Sequence, residues 1–178
     1  VELRGVVIRA PAPSGSSANG LSFIGTGGRL LVSGSRIEVP NGVVSTVRHR
    51  AMVIAGDGVV TIENSSFAVG GTVTLGSAET LGIQVQGSAE ANITISNTTF
   101  DTLNLTSQAL YWVYLDGGSA ARAITIEDST FSGTITGTSN TAALRARLQN
   151  SGTQLTFRGN TVNEIDNGGN GTYGLWLD

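Results

Sequence analysis

The chain of 178 residues contains no cysteine, which excludes disulfides, Cys-ligated zinc and thiol catalysis. It also contains no lysine: all ten basic residues are arginine, and the net charge is −3. A nucleic-acid partner requires a basic stripe, so that class is set aside. No apolar run approaches the ~18 residues of a membrane-spanning helix, and the opening residues do not read as a signal peptide. Charged residues make up only 13% of the chain, about half the usual globular share. What replaces them is Gly, at 25 residues, together with Ser, Thr and Asn. Such a composition also suits a disordered linker, but the apolar residues are spaced too regularly for that.

The regularity is an octet. It reads VELRGVVI (1–8), LLVSGSRI (30–37), VTIENSSF (60–67), ITISNTTF (93–100), ITIEDSTF (124–131) and LTFRGNTV (155–162). Successive copies start 29, 30, 33, 31 and 31 residues apart. Positions one, three and eight are apolar in every copy. Positions one and three share a strand face because side chains alternate with period two. Position eight has the other parity, and it rejoins that face only if the chain bends in between. The bend is legible at position five, which holds Gly5, Gly34, Asn64, Asn97, Asp128 and Gly159. These residue types tolerate positive φ. Each octet therefore reads as a strand, a one-residue left-handed corner and the start of the next strand. Asn64 and Asn97, adjacent in that column, suggest an amide ladder.

A further strand precedes each octet: LSFIG (21–25), MVIAG (52–56), IQVQG (83–87), VYLDG (113–117), ARLQN (146–150) and LWLD (175–178). Its inward residues are expected at Leu21/Phe23, Met52/Ile54, Ile83/Val85, Val113/Leu115, Ala146/Leu148 and Leu175/Leu177. A third, less regular strand follows each octet, as in GTVTLG (71–76) and GTITG (133–137). The segments 10–20 and 74–82 read as loops. Three strands in every ~30 residues, β-branched and without 3.6-residue periodicity, predict an all-β chain folded as a parallel β-helix, a β-solenoid of about six rungs. One domain over residues 1–178 is expected. Residue 1 already lies in a strand pattern, and YGLWLD is able to run into VELRGVV as MVIAGDG runs into VVTIENSS. The chain thus reads as a piece of a longer solenoid, or as a unit that stacks end to end with open strand edges.

Function has to come from outward residues. After the first strand, one outward column reads Arg4, Ser33, Glu63, Ser96, Glu127, Arg158. A rung separates Glu63 from Glu127, and Glu127 neighbours Arg158, so this column predicts charge pairing across rungs rather than paired catalytic carboxylates. His49, placed in a loop between Arg48 and Arg50, is the only histidine and a poor catalytic base. No catalytic residue, metal ligand or cofactor is expected. Thr61, Thr94, Thr125 and Thr156 form a stacked column of the kind an ice-binding lattice uses, interrupted by the charged column beside it. On the strand before the octet, the outward columns read Ser22, Val53, Gln84, Tyr114, Arg147, Trp176 and Gly20, Ala51, Gly82, Trp112, Arg145, Gly174. Trp112, Tyr114, Arg145, Arg147 and Trp176 are thereby expected on one exposed face, suited to sugar stacking, cation–π contact or a protein hot spot. Sequons at Asn64, Asn92, Asn97, Asn104 and Asn170 follow from an Asn/Ser/Thr-rich composition.

With these rungs, the Gly/Ser/Thr/Asn-rich acidic composition and the absent Cys, the chain resembles the right-handed β-helical passenger domains of bacterial autotransporters and related surface adhesins. That resemblance implies a secreted or outer-membrane-displayed stalk that meets a host-surface or cell-surface glycan or protein. The wider β-helix superfamily also holds pectate lyases and polygalacturonases, so a carbohydrate-active segment, a phage tailspike fragment and an ice-binding solenoid stay open as alternatives.

Overall fold

The computed structural model describes residues 1–11, 17–74, 79–87, 89–118, 122–136, 140–148, 152–166 and 171–178, with 164–166 described by backbone alone. Three parallel sheets account for nearly all of them. The first stacks β1 (Glu2–Arg4), β4 (Gly28–Ser33), β8 (Gly58–Glu63), β11 (Asn92–Ser96), β14 (Ala123–Glu127) and β17 (Gln154–Arg158). The second stacks β2 (Val7–Arg9), β5 (Arg36–Val39), β9 (Ser66–Val73), β12 (Thr99–Thr106), β15 (Thr130–Thr136) and β18 (Thr161–Asp166), with β6 (Val44–Ser45) pairing alongside β9. The third stacks β3 (Ala18–Phe23), β7 (His49–Ile54), β10 (Glu79–Val85), β13 (Ala109–Leu115), β16 (Thr141–Ala146) and β19 (Thr172–Leu177). Each turn contributes one strand to each sheet, which makes a β-solenoid of about 5 turns. Among the described residues there is no helix. Of the segments expected as loops, residues 18–20 open β3 and residues 79–82 open β10, residues 10, 11, 17 and 74 lie outside any strand as expected, and residues 12–16 and 75–78 lie outside the described residues.

The octet does what its columns require. Position five is left-handed in all six copies: φ is 60° at Gly5, 57° at Gly34, 49° at Asn64, 46° at Asn97, 50° at Asp128 and 62° at Gly159. The first strand ends on one side of this corner and the second begins just beyond it. Position eight then turns inward and stacks in register from Ile8 through Ile37, Phe67, Phe100 and Phe131 to Val162. Its three phenylalanines are fully buried and stack face to face, with centroids 5.3 Å apart for Phe67–Phe100 and 4.6 Å for Phe100–Phe131. Burial of each such side chain stabilises the fold by about 1.5–3 kcal/mol, which offsets the ordering entropy of the Gly- and Ser-rich chain.

The ladder beside the corner is of hydroxyls, one position later than the expected amide ladder. Asn64 and Asn97 are exposed, whereas Ser35, Ser65, Thr98 and Ser129 are buried. The Ser65 hydroxyl accepts from the Ser35 backbone N–H at 3.2 Å, and Ser129 accepts from Thr98 N–H at 3.1 Å. Each hydroxyl donates to the carbonyl two residues earlier, as Ser65 does to Glu63 at 2.8 Å. The corner leaves one backbone N–H without a sheet carbonyl, and a side chain of the next rung accepts from it. In the last copy the amide of Asn160 takes this role, accepting from Ser129 N–H at 3.0 Å and donating to the Ile126 carbonyl at 2.9 Å.

His49 is not in a loop. It lies in β7, fully buried, with Nδ1 2.7 Å from the Gly70 carbonyl and Nε2 without a partner among the described residues. Burial lowers its pKa from the ordinary 6.5, outweighing the Gly70 hydrogen bond. The folded chain therefore resists a proton that the unfolded chain accepts. Stability is expected to be full above pH 6.5 and to fall as the pH drops from there towards the folded pKa, by at most about 1.4 kcal/mol per pH unit. Urea midpoints measured between pH 7 and pH 5 should decline in the parent chain and flatten in His49→Gln; equal slopes in both would remove His49 from the account.

A candidate recognition face on the third sheet

The third sheet departs from simple alternation, and the departure decides what lies on its outer face. In β13 the residues Leu110 and Trp112 point into the core, and so do Val113 and Leu115. Two consecutive inward residues, Trp112 and Val113, mean that the strand changes parity between them. Tyr111 and Tyr114 consequently share the outer face and meet there, with ring centroids 5.9 Å apart. On a flat strand, residues three apart face opposite sides and do not touch.

Trp112 is thus removed from the expected face. It is 0% exposed, packs against Phe100 at 5.7 Å, and donates its indole N–H to the Ser132 carbonyl at 3.0 Å. Gly82 in the neighbouring rung makes room for it: a Cβ there would lie 2.4 Å from the Trp112 carbonyl oxygen and 2.7 Å from its ring. The small residues in the same column of the other rungs, Gly20, Ala51, Gly82 and Ala143, are the sequence signal of this change, and Ala51 and Ala143 turn inward beside Met52 and Leu144 in the same way.

The register of the fifth rung also differs from expectation. Leu144 and Ala146 continue the inward columns of Val113 and Leu115, while Leu148 is 39% exposed. The outer column runs Ser22, Val53, Gln84, Tyr114, Arg145, Trp176, with Arg145 where Arg147 was expected. Arg147 lies just past the strand end. The parallel outer column runs Asn19, Arg50, Leu81, Tyr111, Ala142, Tyr173.

Arg145 is the centre of the face. Its guanidinium carbon lies 4.3 Å from the Trp176 ring centroid, 5.0 Å from Tyr111 and 5.8 Å from Tyr114. It donates from Nη1 to the Tyr111 hydroxyl at 3.1 Å and from Nη2 to Asp178 Oδ2 at 2.8 Å. Glu79 approaches to 3.6 Å. Arg147 adds a weaker contact to Asp178 at 3.5 Å and sits 5.7 Å from the Tyr114 ring. The Arg145 hydrogen bond holds the Asp178 carboxyl below the usual carboxylate range against a smaller opposing effect of burial. Burial lowers the Arg145 pKa less than its partners, Asp178 foremost, raise it. Burial is also the main cause that pushes the Tyr111 and Tyr114 phenols up.

Arg145 therefore fills the aromatic cage of its own chain, and both tyrosines are 3% exposed. What the face offers to another molecule lies around this plug. Trp176 is half-buried and packs on Tyr173, itself 40% exposed, at 5.1 Å. Arg147 keeps 41% of its side chain exposed. Arg50 and Arg48 flank the far end. Of the five expected residues, the structure brings Tyr114, Arg145, Arg147 and Trp176 together and excludes Trp112; it adds Tyr111, Tyr173, Glu79 and Asp178.

The other two outer faces are plainer. On the first sheet, Thr61, Thr94, Thr125 and Thr156 stack in register as expected. Beside them Glu127 accepts from Arg158 at 2.6 Å, the anticipated cross-rung pair, while Ser96 separates Glu63 from Glu127. On the second sheet a β-bulge at Asn104, with φ of 50°, opens a hollow of about 500 Å³ lined by Asp101, Thr102, Asn104, Thr106, Thr134 and Thr136. Among the described residues no group of three or more His, Asp or Glu could hold a metal ion. The Asn170 sequon lies outside the described residues.

No protein-family model, curated protein or solved structure matches this chain.

Proposed function

We propose that this chain is a segment of a secreted or cell-surface β-helical adhesin or passenger protein, a stalk that carries a recognition surface. The observation that carries the reading is the contrast among the three outer faces. Those of the first two sheets are mainly Thr, Ser and charges paired with one another, Glu127 with Arg158 and Glu38 with Arg9 and Arg36, whereas that of the third gathers Arg145, Arg147, Tyr173 and Trp176 at adjacent positions. Aromatic rings and guanidinium groups are what interface hot spots are built from. The strand stacking supports the stalk role, since six rungs at ~4.8 Å make a stiff rod whose core is one continuous ladder. The alternative of a carbohydrate-active segment draws on the hollow beside Asp101, which brings one carboxylate where glycosidic chemistry uses two.

Attachment of the purified chain to intact host cells tests this reading, run beside a Trp176→Ala/Arg147→Ala double variant. The parent chain is expected to attach, and the double variant to lose about tenfold or more in affinity, as removal of two interface anchors does, with an unchanged circular-dichroism spectrum. Attachment indifferent to both substitutions would move recognition off this face. No attachment by the folded parent would leave the chain a passive spacer.

A further inference from the structure

The third sheet's outer face carries more positive than negative charge, although the chain as a whole is acidic. Four guanidinium groups, Arg48, Arg50, Arg145 and Arg147, face two carboxylates, Glu79 and Asp178. Asp116 at the end of β13 is matched by Arg122, whose Nη2 donates to its carbonyl at 2.7 Å. Two positive charges are left over, and they are not spread evenly. Asp178 lies between Arg145 and Arg147, and Glu79 is nearer to Arg145, at 3.6 Å, than to Arg48, at 3.9 Å, so the deficit falls largely on Arg48 and Arg50.

There, Arg48 and Arg50 lie two residues apart, outward of the buried His49 between them. Arg50 donates from Nε to Asn19 Oδ1 at 2.8 Å and from Nη1 to Gln84 Oε1 at 2.8 Å. Both partners are neutral amides, which orient the guanidinium without neutralising it. Among the described residues no carboxylate pairs with it. Arg48 reaches Glu79 only at 3.9 Å, and its Nε is buried without a partner there. Burial first, and the Arg48 charge second, lower the Arg50 pKa. A half-buried cation held by amides beside a second cation is an electrostatic deficit that an incoming anion relieves.

From Arg50 the outer column runs over Leu81, Tyr111 and Ala142 to Tyr173, four rung steps or ~19 Å. Trp176 stands beside it at the aromatic end. We infer that this face binds an acidic oligosaccharide, its carboxylate or sulfate held by Arg50 and Arg48 and its sugar rings crossing the buried middle of the column, Leu81, Tyr111 and Ala142, to meet the more open Tyr173 and Trp176. This rests on the reading that the third sheet's outer face is the recognition surface, and it adds the ligand class and a cationic subsite that the sequence did not reveal. Uronate and sulfate share the anionic chemistry; the aromatic end accounts for sugar rings rather than a free ion.

Calorimetric titration of the full chain tests it with three probes: a hyaluronate oligosaccharide carrying carboxylate alone, a heparin oligosaccharide carrying sulfate as well, and an uncharged dextran of similar length. One or both acidic probes should bind, more weakly as salt rises, and the dextran should not. Arg50→Gln should weaken binding about tenfold or more, as loss of a charge-assisted contact does, while Arg50→Lys restores part of it. Comparison of the hyaluronate and heparin arms names the anionic group. Failure of both acidic probes on the folded chain, or binding equal in Arg50→Gln and the parent, overturns the inference. If cell attachment that depends on Trp176 and Arg147 persists in that case, the recognition reading survives and only the acidic ligand class is lost.

Discussion

Trp112→Ala is expected to destabilise the chain by about 3–5 kcal/mol, the cost of emptying a large aromatic site in a packed core. Three observations set the size. The ring is fully buried, so its whole area returns to a cavity rather than to water. Its neighbours are constrained: Phe100 is held in the aromatic stack and Gly82 has no side chain with which to fill the space. The substitution also leaves the Ser132 carbonyl without its indole donor, at a further cost of about 1–3 kcal/mol where no water enters. Trp112→Phe keeps most of the volume and should recover much of the loss. Urea midpoints of the three proteins check the order, parent above Phe above Ala. Retention of parental stability by Trp112→Ala would mean that the indole is on the surface after all.

Phe100→Ala is expected to cost a similar amount, about 3–5 kcal/mol, for a different reason. Phe100 is the middle ring of three, 5.3 Å from Phe67 and 4.6 Å from Phe131, and it also abuts Trp112. Its removal opens a gap between two rungs that the backbone ladders hold at a fixed spacing, so the neighbours cannot close it. Removing an end ring, as in Phe67→Ala, should cost less because one face of the gap borders the smaller Ile37 column position. The double variant Phe100→Ala/Trp112→Ala should be less destabilised than the two single losses combined, since one shared cavity serves both. Strict additivity in chemical denaturation would show that the two rings do not touch.

Much of the fold was legible because the octet couples two signals that rarely coincide by accident. The apolar residues at positions one, three and eight identify strand faces, and the Gly/Asn/Asp column between them identifies the corner. Every one of those six corners has positive φ. The strand before the octet also ends in a Gly/Asn column, Gly25, Gly56, Gly87, Gly117 and Asn150, but that column marks no repeated left-handed corner, since Gly56, Gly87 and Gly117 do not have positive φ. The register of this strand was inferred from alternation alone, and alternation fails where Trp112 and Val113 both turn inward. The same weakness misplaced the fifth rung: ARLQN resembles the other strand ends, but TAALRA is the segment that pairs, with Leu144 beside Val113. A two-residue slip preserves parity, which is why the inward and outward pattern still looked sensible.

The candidate site suffered from the same cause. Tyr114, Arg145 and Trp176 were found because outward parity held for them. Tyr111 was missed because its parity is reversed by the change between Trp112 and Val113, and Trp112 was included for the same reason. Asp178 and Glu79 carry no motif; they matter only because Arg145 reaches them across the rungs. His49 was misread because its two arginine neighbours suggested exposure, whereas strand geometry sends Arg48 and Arg50 outward and the imidazole inward.

The parity change on β13 is the claim on which both the core and the recognition face depend. Acrylamide quenching of two single-tryptophan proteins, Trp176→Phe and Trp112→Phe, tests it most directly. In Trp176→Phe the remaining Trp112 should emit at short wavelength and be nearly immune to quenching. In Trp112→Phe the remaining Trp176 should be quenched appreciably. Strong quenching of Trp112, equal to that of Trp176, would contradict the account and return the indole to the outer face.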